Sequence, residues 1–306
     1  MMVVVTGGCG FIGSHLVDAL LATGNDVNIL DNLSTGKKSN IPSQANLVVG
    51  DVADAALVHE LVDSADMVFH LAAVASVEQC EKDVEGGHRT NFIGTKNILD
   101  AAVYSSKRPL VVYASSAAVY GDNSNLPLAE TAETKPLGNY GRDKLAGEVY
   151  AREQNIPSVG LRFFNVFGPR QDRHSSYSGV ISKFVEQMLS GQTITYFGDG
   201  EQTRDFIYVG DIIKLLLAAT NYSGRAIVAN GCTGRATSLK QLVAAISEIS
   251  HRTPTTSYTA ARAGDIRHSL GNSALAGTLF GFTANTSLKD GLAALVSESQ
   301  KEKAYA

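Results

Sequence analysis

"VVVTGGCGFIGSHL", residues 3–16, is the stretch whose reading decides the fold. Three valines and a threonine in a row suit a short strand buried on both faces. Glycines follow at positions 7, 8, 10 and 13, and from Phe11 to Ala22 the pattern turns helical. Glycine tolerates positive φ and lets backbone approach a pyrophosphate closely. A helix starting there aims its free N–H groups at the same anion. Glycines alone often mark an ordinary turn. A strand directly before them and a helix directly after favour a dinucleotide-binding loop.

The next elements outward agree. Val27–Leu30 reads as a second strand and ends on Asp31, 18 residues after Gly13. A carboxylate at that place accepts from the ribose hydroxyls of NAD and repels the 2′-phosphate of NADP. The bland alternative is a strand-end Asp capping a turn, and the spacing favours the cofactor. Leu47–Val49 reads as a third strand closed by "GDV", residues 50–52, which is expected to flank the adenine. Met67–Leu71, Leu110–Ala114 and Val159–Phe163 read as further strands, with helices over Val84–Tyr104 and Tyr140–Glu153 between them. Short apolar strands alternating with helices predict an α/β fold with a doubly wound parallel sheet.

Residues 1–165 are therefore expected to form a dinucleotide-binding domain. Beyond it the pattern loosens into a helix over 180–189, strands over 193–197 and 205–209, and helices near 211–220 and 239–250. Thr253–Gly271 reads as irregular and polar. Residues 166–306 are expected to make mainly a smaller C-terminal α/β lobe, with segments near 207–230 returning to the first domain. Ligand belongs in the cleft between the two.

Composition removes other classes. A formal charge of -4 over 306 residues gives no basic surface for nucleic acid. No apolar run reaches the 18 or so residues of a membrane span, and the chain enters a strand at once without a basic leader. Cys9, Cys80 and Cys232 are scattered and odd in number. That spacing predicts no metal cluster and no disulfide framework, hence a cytoplasmic setting.

Chemistry enters with "YASSAAVYG", residues 113–121, where Ser115 and Ser116 end a strand and Ala117 and Ala118 follow. "NYGRDK" adds Tyr140 and Lys144, four apart and so on one helix face. A Tyr with a pKa of about 10 is a poor base at neutral pH. A nearby ammonium and a nicotinamide cation are expected to lower it. A lone Tyr–Lys pair at this spacing is usually a solvated face. Beside a dinucleotide loop and Ser116 it reads as catalytic, with Ser116 donating to a substrate oxygen while Tyr140 takes its proton.

Taken together, "TGGCGFIG", "DNLSTG", "GDV", "HLAA", "ASSAAVYG", Tyr140 with Lys144, and "RFFNVFGPRQ" resemble the extended short-chain dehydrogenase/reductase family over nearly the whole chain. "DFIYVGD" and "RAGDIRHSLG" make it similar to that family's sugar-nucleotide 4-epimerases. The resemblance implies a Rossmann-type domain, bound NAD and a UDP-hexose substrate. By it, Gly7, Gly10, Phe11, Ile12 and Gly13 hold the pyrophosphate, and Asp31 and Asn32 the adenosine ribose. Asp51 and Val52 lie by the adenine, Leu71, Ala72 and Ala73 line the middle of the cofactor, and Asn91 lies near it. Tyr140 and Lys144 touch the nicotinamide ribose as well as the substrate. Asn165, Val180, Arg204 and Arg262 match positions that contact the uridine diphosphate. Ser76 falls in "VASV", a segment similar to the UDP-GlcNAc 4-epimerases of bacterial O-antigen polysaccharide pathways, and is expected at the hexose. Two long helices per subunit, Val84–Tyr104 and the Tyr140 helix, are expected to pair into the four-helix bundle of a homodimer.

The alanines select the reaction. Dehydratases and decarboxylases of this family carry acidic residues just after the active-site hydroxyl. Ala117 and Ala118 offer neither proton nor charge. What remains is chemistry that needs only Ser, Tyr and NAD, namely reversible epimerisation at C4 through a 4-keto sugar. In the 4-epimerases a position seven residues beyond the first arginine of "RAGDIRHS" faces the sugar's C2 substituent, and a bulky tyrosine there excludes an N-acetyl group. Here it is Ser269, which implies acceptance of UDP-GlcNAc and UDP-GalNAc as well as UDP-Glc and UDP-Gal. "RHSSYSGVISKF" departs from that group's usual wording, with Ser182 where a proline is common. An NAD(P)H-dependent 4-ketoreductase, an epimerase for another nucleotide sugar and a non-catalytic NAD-sensing protein are the alternatives.

Overall fold

The computed structural model describes residues 1–172, 179–261 and 264–305, with side chains up to residue 301. Arg262, expected at the diphosphate, lies outside the described residues. In chain order the elements begin with β1 (Met2–Thr6), α1 (Phe11–Ala22), β2 (Asp26–Asp31), β3 (Asn46–Val49), α2 (Ala55–Asp63) and β4 (Met67–His70). There follow α3 (Val77–Lys82), α4 (Val84–His88), α5 (Gly94–Tyr104), β5 (Leu110–Ser116), α6 (Asn139–Glu153), β6 (Ser158–Phe163) and β7 (Asn165–Phe167). Next come α7 (Val180–Leu189), β8 (Ile194–Phe197), β9 (Thr203–Tyr208), α8 (Val209–Ala219) and β10 (Ile227–Gly231). The chain ends with β11 (Ala236–Ser238), α9 (Leu239–Ser250), β12 (Thr256–Thr259), α10 (Ala274–Phe280) and α11 (Leu288–Tyr305).

Seven of the strands form one parallel sheet in the order β10-β6-β5-β4-β1-β2-β3. Leu16, Val17 and Leu20 of α1, with Ile212, Leu215 and Leu216 of α8, bury one face. Val58 and Val62 of α2, with Ile98 and Leu99 of α5, bury the other. Each such side chain taken from water contributes about 1.5–3 kcal/mol, which is why the strands read as continuous apolar runs. The strand order reverses between β1 and β4, so the loops leaving these two strands open a crevice at the sheet's C-terminal edge.

A second layer stands over that edge. It contains the three-stranded sheet β11-β9-β7, the pair β12-β8, and the helices α7, α9 and α11. Its own core holds Phe184, Val185, Ile194, Leu242, Ile246 and Leu292. After β9 the chain crosses back, because α8 packs on α1 and β10 pairs with β6. No helix among the described residues is long and apolar enough to cross a membrane.

Two expectations are corrected. The helix over Val84–Tyr104 is split by a π turn at Arg89–Ile93. The wide turn brings Asn91 inward to hydrogen-bond the loop after β4. The irregular stretch after Thr253 contains β12, which pairs parallel with β8 and stacks Tyr258 on Tyr196 at 5.2 Å between ring centroids. A four-residue strand of Thr, Ser and Tyr has too little apolar pattern to show before its partner is in place.

Candidate active site

At the head of the crevice, Gly7 holds φ +69° and Gly10 caps α1. A Cβ on Gly7 would stand 2.7 Å from the Ala72 nitrogen, so glycine is what lets the loops after β1 and β4 touch. A Cβ on Gly13 would stand 2.1 Å from the Gly7 oxygen. Above Gly10, by contrast, such an atom meets only the Gly7 oxygen at 3.2 Å, and no side chain caps the helix there. The first N–H groups of α1 beside Phe11 and Ile12 are thus left for an anion. At the end of β2 the buried Asp31 accepts from the Cys9 N–H at 2.9 Å and from the Leu33 N–H at 2.8 Å. Each carboxylate oxygen keeps a lone pair for a ribose hydroxyl. Asn32 accepts from the Ser34 N–H at 3.0 Å. Asp51 closes the next turn by accepting from Ala53 N–H, and the Val52 carbonyl accepts from Asn97. Acceptors at the sugar end and an open cradle of amides at the phosphate end fit a dinucleotide of the NAD type.

The loop carrying Leu71, Ala72 and Ala73 is pinned from below by a buried chain. Ala72 N–H donates to Thr6 Oγ1 at 3.2 Å, and Thr6 Oγ1 lies 2.8 Å from His70 Nδ1. His70 Nε2 lies 3.0 Å from Thr95 Oγ1, which donates to the Asn91 carbonyl at 2.7 Å. Only one direction satisfies every atom: Thr6 O–H donates to Nδ1 and Nε2–H donates to Thr95. Burial pushes the His70 pKa down to about 3, with the Lys144 charge adding to it, so the ring stays neutral. The Asn91 amide is spent on Val74, accepting from its N–H at 2.9 Å and donating to its carbonyl at 3.1 Å. Asn91 is 1% exposed, so it holds the cofactor loop rather than facing the crevice. Thr6, His70 and Thr95 were not singled out in the sequence. "HLAA" was the available signal.

Ser116 and Tyr140 meet because Gly141 allows it. An added Cβ on Gly141 would lie 2.7 Å from the Ala118 carbonyl, so the first turn of α6 can rest on the Ala117–Tyr120 turn that follows β5. Ser116 Oγ accepts from the Ala118 N–H at 3.1 Å. Desolvation raises the Tyr140 pKa and the Ser116 hydroxyl works against it. This corrects the expected lowering by the ammonium. Lys144 is 4% exposed, donates to the Ala114 carbonyl at 2.9 Å and stands 5.8 Å from the centre of the Tyr140 ring. Burial pushes its own pKa down to about 8, with Cys80 and Asp143 acting the other way. The unfolded Lys titrates near 10.5. Below pH 8 both states are protonated and the buried charge costs stability in full. From pH 8 to 10.5 the unfolded chain binds more protons, and the cost fades as pH rises. Lys144→Met is therefore expected to raise the melting temperature at pH 7, with the gain shrinking by pH 10.5. A lower melting temperature at pH 7 would contradict the desolvation account.

Neighbouring serines on a strand point to opposite faces. Ser115 is buried and donates to Glu148 Oε1 at 2.5 Å. Glu148 also takes two N–H donors from Arg162, at 2.8 and 2.7 Å, and is fully buried. Arg162 reaches the Glu130 carbonyl at 3.1 Å and lies over the Tyr120 ring. Of the two serines, Ser115 ties β5 to α6 and β6, and Ser116 faces the crevice.

In the second layer a cavity of about 340 Å³ is lined by Val180, Lys183, Phe184 and Gln187 of α7, Thr195 and Phe197 of β8, and Gln202, Arg204, Leu239 and Asp265. Val180 and Arg204 are thereby brought together. Arg204 bonds Asp265 at 2.7 Å and the Thr203 carbonyl at 2.9 Å. The Gln202 amide donates to the Phe197 carbonyl at 2.8 Å, while its oxygen is buried without a partner among the described residues. Asp265, Gln202, Thr195 and Phe197 were not anticipated. Asp265 sits inside the quoted "RAGDIRHSLG" and was the readable one. Asn165 begins β7, paired with Phe206. Ser269 N–H donates to the Thr203 carbonyl at 3.1 Å, which sets that residue alongside β9 and close in register to Arg204. Ser76 caps α3, accepting from Gln79 N–H at 3.1 Å. Ser182, the departure from the usual proline, is buried and donates to Gln171 Oε1 at 2.8 Å.

Comparison with known proteins agrees with this geometry. The NAD dependent epimerase/dehydratase family matches residues 3–229. A UDP-glucose 4-epimerase of Mycolicibacterium smegmatis is 35% identical over 306 residues, covering 97% of each chain. A solved UDP-glucose 4-epimerase of Thermotoga maritima, holding UDP-glucose, superposes with a TM-score of 0.93 at 34% identity, covering 99% of this chain and all of that one. A UDP-N-acetylglucosamine 4-epimerase of Methanobrevibacter ruminantium, in complex with UDP-N-acetylmuramic acid, gives 0.92 at 35% identity over 98% of both chains.

Proposed function

The chain belongs to the NAD dependent epimerase/dehydratase family, and on that premise we propose that it is an NAD-dependent isomerase that inverts C4 of a UDP-hexose. One observation carries the choice of reaction. Ser116, Tyr140 and Lys144 converge, and the turn that closes the site between them is Ala117–Ala118, which brings no acid or base for chemistry at other carbons.

Bound NAD, held by the glycine turn and Asp31, would supply a reversible hydride acceptor for C4. The residues do the rest. Tyr140 removes the O4 proton and gives it back, and Ser116 holds O4 by its hydroxyl. Lys144 supplies a buried positive charge beside the phenol, which favours phenolate as the proton leaves. Gly7, Gly10, Phe11, Ile12 and Gly13 hold the pyrophosphate, Asp31 and Asn32 the ribose, Asp51 and Val52 the adenine, and Leu71 to Ala73 the middle. Asn91 serves by fixing that last loop. Val180 and Arg204, with Asn165 and Arg262, grip the nucleotide of the substrate, so that the hexose can present either face while its diphosphate stays put. Ser76 and Ser269 border the hexose, and the small Ser269 leaves room for an N-acetyl group.

A homodimer belongs to the same reading. Phe92, Leu145, Val149 and Tyr150 leave an open apolar cleft beside α6. The three cysteines, free and buried, suit the cytoplasm. Proton NMR of the purified protein with UDP-GlcNAc or UDP-Glc, and no added NAD, is expected to show both C4 epimers in each tube. Ser269→Tyr is expected to keep UDP-Glc turnover and lose UDP-GlcNAc turnover by about tenfold or more, the effect of a misfit in a shaped pocket. Equal loss on both sugars would remove Ser269 from specificity, and no turnover by the unaltered protein would remove the epimerase reading.

A further inference from the structure

Between β7 and α7 the chain makes an unusual passage at Pro169, Arg170 and Gln171. Arg170 holds φ +63°, a left-handed conformation that a non-glycine residue keeps only under external constraint. The constraints come from three helices. From α1, His15 Nε2 donates to the Pro169 carbonyl at 3.0 Å, and Asp18 pairs with Arg170 Nη2 at 2.7 Å. His15 and Asp18 are three apart and so share one face of α1. From α11, Glu298 accepts the Arg170 backbone N–H with both carboxylate oxygens, at 3.2 and 3.0 Å. From α7, Ser182 donates to Gln171 Oε1 at 2.8 Å, while the other end of that amide donates to the Val166 carbonyl of β7 at 3.3 Å.

These contacts form one continuous path. It runs from α1, whose N-terminus closes the pyrophosphate cradle, through Arg170 and Gln171 to Ser182 on α7. The same helix lines the nucleotide cavity through Val180, Lys183 and Phe184. An exposed ion pair alone contributes little. Here the guanidinium is joined by a strained backbone, a double N–H contact and a half-buried Gln–Ser bond, all meeting at Pro169–Gln171.

We propose that Arg170 is a positioning residue that couples the cofactor helix to the nucleotide cavity, so that bound NAD and the UDP moiety of the substrate strengthen each other's binding. The coupling rests on the nucleotide-sugar reading above. Coupling is reciprocal: whatever UDP does for NAD, NAD does for UDP by the same factor.

The test uses the NAD-loaded full chain. NAD loss after gel filtration is followed by chromatography of the released nucleotide, with and without saturating UDP. UDP is expected to slow the loss by about fivefold or more, a coupling of ordinary size. In Arg170→Met that ratio is expected to fall to about one, and KM for the UDP-hexose to rise several-fold while kcat stays within about twofold. Arg170→Lys, which keeps a charge for Asp18, is expected to recover part of the ratio. Ser182→Ala cuts the path at its other end and is expected to lower the ratio likewise; it carries the test if Arg170→Met fails to fold. A ratio unchanged in these variants overturns the coupling. UDP binding to the unaltered protein without effect on NAD loss also overturns it, while leaving the nucleotide-sugar reading intact. No UDP binding at all overturns both.

Discussion

Tyr140→Phe is expected to retain NAD and to lower turnover of a UDP-hexose by about 10²–10⁴-fold, the usual worth of a positioned acid–base group. The change removes one oxygen and leaves the ring, which rests in the first turn of α6 beside Lys144. Among the described residues the hydroxyl is partnered by Ser116 rather than by the cradle of Gly7, Gly10 and Asp31, so cofactor content measured by chromatography should stay near that of the unaltered protein. The direction of the pKa shift matters here. Desolvation holds the phenol protonated and Ser116 opposes that only in part. The hydroxyl therefore rests as a donor and gives up its proton only when a positive charge is close. Lys144 stands 5.8 Å from the ring centre, and its own pKa of about 8 makes its charge sensitive to mild alkali. Turnover should fall as pH rises through about 8. Activity of the Phe variant within tenfold of the original would remove Tyr140 from proton transfer.

The second large effect is on stability. Glu148→Ala is expected to cost about 3–5 kcal/mol in urea unfolding, because it strands the buried Arg162 charge. Total stability of a domain is only about 5–15 kcal/mol, so the variant should unfold at far lower urea. Glu148 accepts from Ser115 and twice from Arg162, and both ionic side chains are almost wholly buried, at 0% and 4% exposed. The network joins α6, which carries Tyr140 and Lys144, to β5, which carries Ser116. Removing both charges by Glu148→Met with Arg162→Met should cost less than Glu148→Ala alone, since no unpaired charge remains. A loss below about 1 kcal/mol for Glu148→Ala would mean that water reaches Arg162 and the pair is not truly buried.

Much of the fold was legible because its signals are local. Apolar strands, the spacing from the glycine turn to Asp31, and the Tyr140–Lys144 pair all depend on residues near one another in the chain. The reaction was legible in the same way, from two alanines beside Ser116. Other features were not. That Ser115 bonds Glu148 follows only from the pleat of β5, set by its pairing with β4 and β6, which leaves Ser116 on the opposite face. Asn91, expected near the cofactor, has its amide bonded to Val74 at the π turn, an arrangement no local pattern announces. Burial raises the Tyr140 pKa, a cost that the spacing of Tyr140 and Lys144 in the sequence does not show.

By itself, then, the sequence determined the doubly wound sheet and the dinucleotide loop, and it named Ser116, Tyr140 and Lys144 as the candidates for proton transfer, since hydrophobic period and turn chemistry are written residue by residue. Only the tertiary structure decided that Ser115 meets Glu148, that Asp265 answers Arg204 across the cavity, and that Arg170 ties α1 to α7 and α11. The Ser115–Glu148, Arg204–Asp265 and Arg170–Glu298 contacts join residues 33, 61 and 128 apart in the chain, and contacts at such separation follow from how whole layers pack rather than from any local pattern.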